Sequence, residues 1–536
     1  MIDSSQLSEH QKIKNQIDLE YENIGELFSK KVNETPDKIF LICPGKGTDE
    51  FTFIEFKKLL VKSIQYFKSI GLKKGEKISL VFHNSPEFLI LYFTGLILGI
   101  TIVPINPDIS SREIKYIVED SDTKLIFFDE KLELKINELN QFFPSEKFVK
   151  IKSIYDFDNS YEQIELDFKN NVSINDLAVI IYTSGTTGNP KGVKLSHMNL
   201  LADAKSISEW FCFNKETRTL CILPLFHNNG QITTLLAPLY AGGSTIIVKG
   251  KVSLYSFWDL VNQYKATWTS VMASILSILL SLPKNRKDKT LNAILCGGQV
   301  LTRTVQNEFE KRFFVPIFEG YGLTETTSFS CINNYPAEKR KFGSIGKALL
   351  TNEMEILDEK NCILESNVEG EICIKGYNVT EGYLGLEERN KKSFQDGWFH
   401  SGDYGRKDEN GYFYIHGRKD SLIIKGGENI YPSELENILY KHPDIDECAV
   451  IGIPDKLLGE EICAFIKIKK NKKLDENEIK EFCKNKIANY KQPKKVFFIN
   501  NLIDLDDIPK GPTKKVLYRE LKNYYITKCK INENSE

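Results

Sequence analysis

Apolar residues in this chain fall in short continuous runs separated by amphipathic stretches, and that alternation predicts strands and helices in turn. Leu177 to Ile181 is apolar throughout and predicts a buried strand. Short strands are expected near Leu220, Thr245, Ala293 and Ile317. Ser196 is placed to cap a helix whose apolar positions Leu200, Leu201, Ala204, Ile207 and Phe211 follow the helical period. The stretch from Phe88 to Ile105 is long and apolar enough to suggest a membrane span. Thr94, Gly95, Gly99, Thr101 and Pro104 interrupt it, so it predicts a buried helix ending near Gly99 and a short strand around Ile102. On its left flank Ser85 is an N-cap and Pro86 the first helical residue.

A change of scale comes near Arg418. Before it, Asn410-Gly411 predicts a hairpin joining Gly405–Arg406 to Tyr412–His416; after it, a short helix is expected over Ser433 to Tyr440. About a hundred further residues alternate smaller strands and helices and could fold as a lid. The fold class is α/β, a large layered N-terminal domain of sheets and helices with a small α+β C-terminal domain. With 536 residues the chain exceeds one compact core. Its 71 basic and 73 acidic residues nearly cancel, which argues against a nucleic-acid surface. Eleven cysteines without a C-x-x-C pair suggest reduced thiols in a cytoplasmic enzyme, and Met1 to Glu20 lacks the apolar core of a signal peptide. No transmembrane segment is expected.

Chemistry enters with Tyr182-Thr-Ser-Gly-Thr-Thr-Gly-Asn-Pro-Lys-Gly-Val193. Gly185, Gly188 and Gly192 let backbone N–H groups approach phosphate oxygens, Thr183, Ser184, Thr186 and Thr187 add hydroxyls, and Lys191 adds charge. A Walker A loop would need Gly-Lys followed by Ser or Thr, whereas this lysine stands between Pro190 and Gly192. Other strand ends lead into Pro224-Leu-Phe-His227, Cys296-Gly-Gly-Gln299 and Glu319-Gly-Tyr-Gly-Leu-Thr-Glu325. Open α/β sheets bind ligands at such ends, so the segments predict one crevice.

Together with Trp398-Phe-His-Ser-Gly-Asp403, Gly417-Arg-Lys-Asp420 and Pro509-Lys-Gly-Pro-Thr-Lys-Lys515, these motifs resemble the adenylate-forming superfamily of acyl-CoA synthetases, luciferases and peptide-synthetase adenylation domains, over nearly the whole chain. The resemblance implies ATP, Mg2+ and CoA as cofactors. It implies an ATP- and carboxylate-binding domain over residues 1–417, a hinge at 418–420 turning on Asp420, and a mobile lid over 421–536. Tyr321 would stack on adenine, with Gly297, Glu319, Gly320 and Gly322 around the nucleotide; Gly320 and Gly322 would leave the face of its ring exposed. Thr324 would touch phosphate and Glu325 would hold Mg2+, which one or two carboxylates plus phosphate oxygens can bind. Asp403 would bind ribose hydroxyls and Arg418 the nucleotide at the domain border. Lys515 is the expected catalytic residue, stabilising charge on the reacting phosphate; Lys514 stands where the family usually has glycine. Lys425, Gly426 and Gly427 would form the thioester-forming face.

The carboxylate pocket is expected from Phe226 to Gly230, Val271 to Leu282, Gly297 to Val300 and Thr326, with His227 at its gate. Peptide-synthetase domains usually carry aspartate at that position, so amino-acid activation is disfavoured. No arginine occurs between Pro224 and Leu282 to fork a second carboxylate, and the expected substrate is a medium- or long-chain fatty acid. An aromatic or other small mono-carboxylate, packed by Phe226 and Trp268, is the alternative; carrier-protein acylation and an inactive nucleotide-binding relative stand behind it. The partners expected are a carboxylic acid and CoA, with a monomer and a homodimer both open.

Overall fold

The computed structural model describes residues 19–45, 49–153, 171–183, 189–250, 254–287, 289–299, 301–502, 505–510 and 516–529. Internal packing divides the chain into two compact units, Met1–Met354 with Ile374–Phe399 and Glu355–Cys373 with His400–Glu536. The border expected at Arg418 falls inside the second.

The first unit is built on two largely parallel sheets. One has six strands in the order Phe148–Ile151, Leu125–Asp129, Lys77–Val81, Thr101–Ile105, Leu177–Thr183, Lys191–Ser196, parallel except for its last pair. The other has nine; its parallel centre runs Ile317–Tyr321, Ala293–Cys296, Trp268–Val271, Arg218–Cys221, Ser244–Ile247 and Ile39–Cys43. Their fully buried centres explain why these segments read as apolar runs without alternation. The helix Pro86–Leu98 lies among core residues, Ser85 Oγ accepting from Phe88 N at 3.1 Å and Gly99 ending it at φ 67°. The strand Thr101–Ile105 follows, as expected from its interruptions. Among the described residues no helix is long and apolar enough to cross a membrane.

The phosphate loop leads to a strand that the pattern of the sequence did not predict. Lys191–Ser196 pairs antiparallel with Leu177–Thr183, Thr183 opposite Lys191 and Tyr182 opposite Gly192. The strand ends where Ser196 and Asn199 form a capping box for the helix His197–Trp210. Asn199 also donates from Nδ2 to the carbonyls of Tyr377 (2.7 Å) and Val379 (2.9 Å), tying a distant segment to this helix.

In the second unit, the strand Trp398–Lys407 turns at Asp408, whose carboxylate accepts from Asn410 N and Tyr412 N, and returns as Phe413–Arg418. The expected hairpin is present, with Gly411 at φ 79°. The long antiparallel pair Ile445–Asp455 and Gly459–Ile468 is flanked by the helices Pro432–Leu439 and Glu476–Cys483 and by separate cores around Ile423 and Phe465.

His197 is fully buried, and its Nδ1 accepts from Ile24 N at 3.3 Å. Burial lowers its pKa from 6.5 to about 4. Between these values the unfolded chain binds a proton that the folded chain refuses, so stability falls as pH drops from 6.5 towards 4. The expected loss is about 3 kcal/mol at most. Urea midpoints of the native chain and His197→Asn, measured at pH 7 and pH 4.5, should shift in favour of the variant at the lower pH; a constant difference would contradict the assignment.

Candidate active site

Because the central strands of the nine-stranded sheet run parallel, their carboxyl ends lie along one edge. Val271 stands opposite Cys296, and Cys296 opposite Glu319. The segments leaving that edge are those singled out in the sequence: Ile222 to His227, Gly297 to Gln299, and Gly322 to Thr327.

Close packing shapes the third segment. A Cβ on Gly322 would lie 1.8 Å from Ser328 O; one on Gly320 would meet the Phe329 ring at 2.7 Å; one on Gly297 would meet it at 2.5 Å. Tyr321 is 8% exposed. Its flanking glycines make room for Ser328 and Phe329, which corrects the expectation that they expose the ring. Beneath them Asp203 is fully buried on the helix His197–Trp210 and accepts from Phe329 N at 3.2 Å. Burial holds its carboxyl well above the usual range, only partly opposed by the backbone N–H groups of Phe329 and Ser328. Glu319 is half-buried as a residue, yet burial of its carboxyl raises the pKa to about 8. When protonated it is a donor as well as an acceptor.

Glu325 lies in the single turn Thr324–Thr326. The turn is closed by Leu323 N donating to Thr326 Oγ1 at 3.1 Å, and held from outside by Asn228 Nδ2 on the Thr327 carbonyl and Thr327 Oγ1 on Asn378 O at 2.7 Å. The Glu325 carboxylate accepts from the Tyr383 hydroxyl at 2.8 Å. The face of the same ring lies 5.4 Å from Lys191 Nζ. Thr380 N donates to Glu325 O at 2.8 Å, and Leu384 N to Gly192 O at 2.8 Å. Residues 380 to 384 therefore strap the phosphate-loop strand to the Glu325 turn. Tyr383 was missed in the sequence because nothing in its local pattern distinguishes it from a core tyrosine.

His227 precedes the short helix Asn228–Gln231, with its ring 4.7 Å from that of Phe226. Asn84 holds the approach to it: Nδ2 donates to Leu223 O at 2.9 Å and Oδ1 accepts from Leu225 N at 2.8 Å, a clamp across Pro224. Nothing in the sequence around Asn84 marks this role. Trp268, expected in the carboxylate pocket, is instead buried among Phe211, Phe213, Phe318 and Tyr335, since it opens its strand at the end away from the site.

In the second unit Asp403 is opposite Arg418. Arg418 Nε is 2.8 Å from Asp403 Oδ1, and its terminal nitrogen donates to Ser401 O at 2.8 Å. Glu371 accepts from Gly402 N at 2.9 Å and lies 3.3 Å from His400 Nδ1 and 3.6 Å from Lys419 Nζ. Lys425 pairs with the buried Glu461 at 2.5 Å, and Gly426 and Gly427 turn the chain at φ 60° and 90°. Lys510 pairs with Glu447, and Lys510 and Val516 form a bridge. Ser184, Gly185, Thr186, Thr187, Gly188, Val300, Lys514 and Lys515, together with the Asp420 side chain, lie outside the described residues.

The described residues include no group of three or more His, Cys, Asp or Glu able to hold a metal ion. Mg2+ does not require one, since one carboxylate with phosphate oxygens suffices, and Glu325 with its oxygen oriented by Tyr383 fits that need.

Two family models match: AMP-binding enzyme over residues 28–384 and AMP-binding enzyme C-terminal domain over 434–506. An oxalate–CoA ligase of Arabidopsis thaliana is 32% identical, aligned over 95% of this chain and 100% of its own. A 2-succinylbenzoate–CoA ligase of Bacillus licheniformis is 33% identical over 91% and 97%. The solved structure of the o-succinylbenzoate synthetase of Bacillus subtilis with ATP and magnesium ion superposes with a TM-score of 0.80, at 28% identity, over 92% of this chain and 99% of that one.

Removing the Tyr383 hydroxyl tests the strap. Tyr383→Phe should weaken Mg2+-dependent ATP binding about tenfold by calorimetry, the cost of one hydrogen bond to a charged group, with little change in melting temperature. Unchanged affinity would show that Glu325 needs no such orientation.

Proposed function

The chain belongs to the family of AMP-binding enzymes, and from that premise we propose that it is an acid–thiol ligase joining a small carboxylic acid to CoA. ATP would be split to AMP and pyrophosphate. The observation that carries this reading is the Lys191–Tyr383–Glu325 constellation beside the carboxyl edge of the parallel strands. It gathers a cation and a carboxylate from motifs far apart in the chain, as a site for metal-bound triphosphate requires.

In the first step a carboxylate oxygen of the acid attacks the α-phosphorus and the bond to pyrophosphate breaks. Lys191, with Thr183 and the hydroxyls and glycines of 184–188, would hold the departing β- and γ-phosphates. Glu325 would hold Mg2+, which neutralises phosphate charge when bound, and Thr324 would touch phosphate. Gly297, Glu319 and Gly320 to Gly322 would line the nucleotide site, with Tyr321 against the adenine. Asp403 is already neutralised by Arg418, so ribose hydroxyls would share a carboxylate that is charge-balanced before the nucleotide arrives. Lys515 would stabilise the reacting phosphate.

In the second step the thiol sulfur of CoA attacks the acyl carbonyl and AMP leaves. Keeping water from the mixed anhydride favours a site that changes its cover between steps. We assign that change to a rotation about Asp420 that exchanges Lys515 for the turn at Lys425 to Gly427, with 418–420 as the hinge. Ten cysteines form no disulfide among the described residues, which supports a reducing compartment such as the cytoplasm.

The acid is the point at which the expectation changes. The relatives are named for oxalate and 2-succinylbenzoate, neither of them a fatty acid, so the small- or aromatic-acid alternative is better supported than a fatty acid. The loss of Trp268 from the pocket removes one of the two rings invoked for an aromatic substrate.

A panel of carboxylic acids, followed by mass spectrometry for AMP and thioester with and without CoA, should give AMP and a CoA thioester together. ADP as the main nucleotide product would overturn the reading. Lys515→Ala should cut acid-dependent pyrophosphate release about a thousandfold while ATP still binds; full activity would move the role to Lys514 or elsewhere.

A further inference from the structure

The segment Gly511 to Lys515 ends on the proposed catalytic lysine, and the chain on either side of it is held by the body of the second unit. Lys510 and Val516 face each other in an antiparallel bridge, and Leu517 N donates to Pro509 O at 2.8 Å. Before the segment, Lys510 Nζ lies 2.6 and 2.5 Å from the two carboxylate oxygens of Glu447, on the strand Ile445–Asp455. After it, the Tyr518 hydroxyl donates to Glu436 in the helix Pro432–Leu439, 3.0 Å from Oε1 and 3.2 Å from Oε2. The same Oε1 accepts from Val450 N at 2.9 Å, which ties the carboxyl to the strand that carries Glu447.

These contacts fix position more than they add stability. The Lys510 and Glu447 side chains are 24% and 32% exposed, and an ion pair that open to solvent contributes little. Burial raises the Glu436 pKa from 4.5 to about 7, against the bonds from Val450 N and Tyr518. A leucine packed on the Tyr518 ring would avoid burying a carboxyl. The carboxyl supplies direction instead, since a hydrogen bond is strong only near one distance and angle. Val516 and Tyr518 also pack against the core that contains Ile508 and Leu521. The chain therefore leaves Lys515 straight into a fixed frame. A charge that stabilises a reacting phosphate works only where it is placed, and a displacement of about 1 Å can cost about a hundredfold in rate.

We propose that Glu436 and Tyr518, with Glu447 and Lys510, are positioning residues that set the place of Lys515 for the adenylation step. This inference rests on the ligase reading above, in which Lys515 serves the first step and is exchanged before the second.

The test measures the two half-reactions separately, with the acid of the panel above that gives the fastest ATP–pyrophosphate exchange. Tyr518→Phe should lower kcat of acid-dependent exchange about tenfold, with the KM for ATP within about twofold of native. Its rate of forming the thioester from CoA and the chemically prepared acyl-AMP of that acid should stay within about twofold. Glu436→Gln keeps an oxygen for Tyr518 and Val450 and should retain exchange to within about threefold, whereas Glu436→Leu should match Tyr518→Phe. A general packing defect would lower both half-reactions together. Such parallel loss in Tyr518→Phe, or full exchange in it, would overturn the proposal; Lys510→Met, with the same split expected, decides in its place where Tyr518→Phe fails to fold. Lys515→Ala separates the inference from its premise. Loss of exchange there beside full exchange in Tyr518→Phe would overturn the positioning and leave the ligase standing. Full exchange in Lys515→Ala would overturn both the role of Lys515 and this proposal, and a native chain that exchanges with no acid would overturn the ligase reading as well.

Discussion

A single hydrogen bond of 2.8 Å, from the Tyr383 hydroxyl to the Glu325 carboxylate, is the contact on which the first unit's site depends. Each partner is held by its own framework. Tyr383 belongs to a strap fixed to the strand Lys191–Ser196 by main-chain bonds, and that strap is approached through residues 377 and 379, which Asn199 grips from the start of the next helix. Glu325 sits in a turn braced by Asn228 and Asn378. Because these braces are main-chain or amide contacts in buried surroundings, little side-chain freedom remains to be lost when a ligand arrives.

Charge is handled differently at the surface of the site and beneath it. Under the Gly320–Gly322 segment burial pushes the Asp203 carboxyl up, because the backbone N–H groups of Phe329 and Ser328 only partly offset the cost of a buried charge. Glu319, in the middle of the strand Ile317–Tyr321, has its pKa raised to about 8 by burial of its carboxyl. Glu325, Lys191, Asp403 and Arg418, by contrast, sit in or beside partners of opposite charge or polar character. In the reading proposed above, polyphosphate would meet the fixed charges and dipoles at Lys191 and Glu325.

The second unit follows the same economy with ion pairs. Asp403 is buried but matched by Arg418, Lys425 by Glu461, and Lys510 by Glu447. Such pairs contribute little net stability, because desolvation offsets their attraction, but they fix where each charge stands. Glu371 extends the arrangement, accepting from Gly402 N beside Asp403 while lying near Lys419 beside Arg418.

The sequence by itself determined the elements and most of the candidate ligands. Apolar runs marked the parallel strands because both of their faces are buried, Gly99 and Ser85 marked a helix because their local chemistry is independent of the rest, and Asn410-Gly411 marked a turn. Glycines beside Tyr321 were legible as special, but the reason was not: it is the approach of Ser328 and Phe329, contacts that exist only once the strand and the following turn are packed. Tyr383, Asn84 and Trp268 show the same limit. The first two became site residues and the third left the site through partners tens to hundreds of positions away. Local propensity reports on neighbours along the chain. Tertiary structure alone decided which oxygen meets which hydroxyl, because hydrogen-bond satisfaction is settled only among groups that folding brings together.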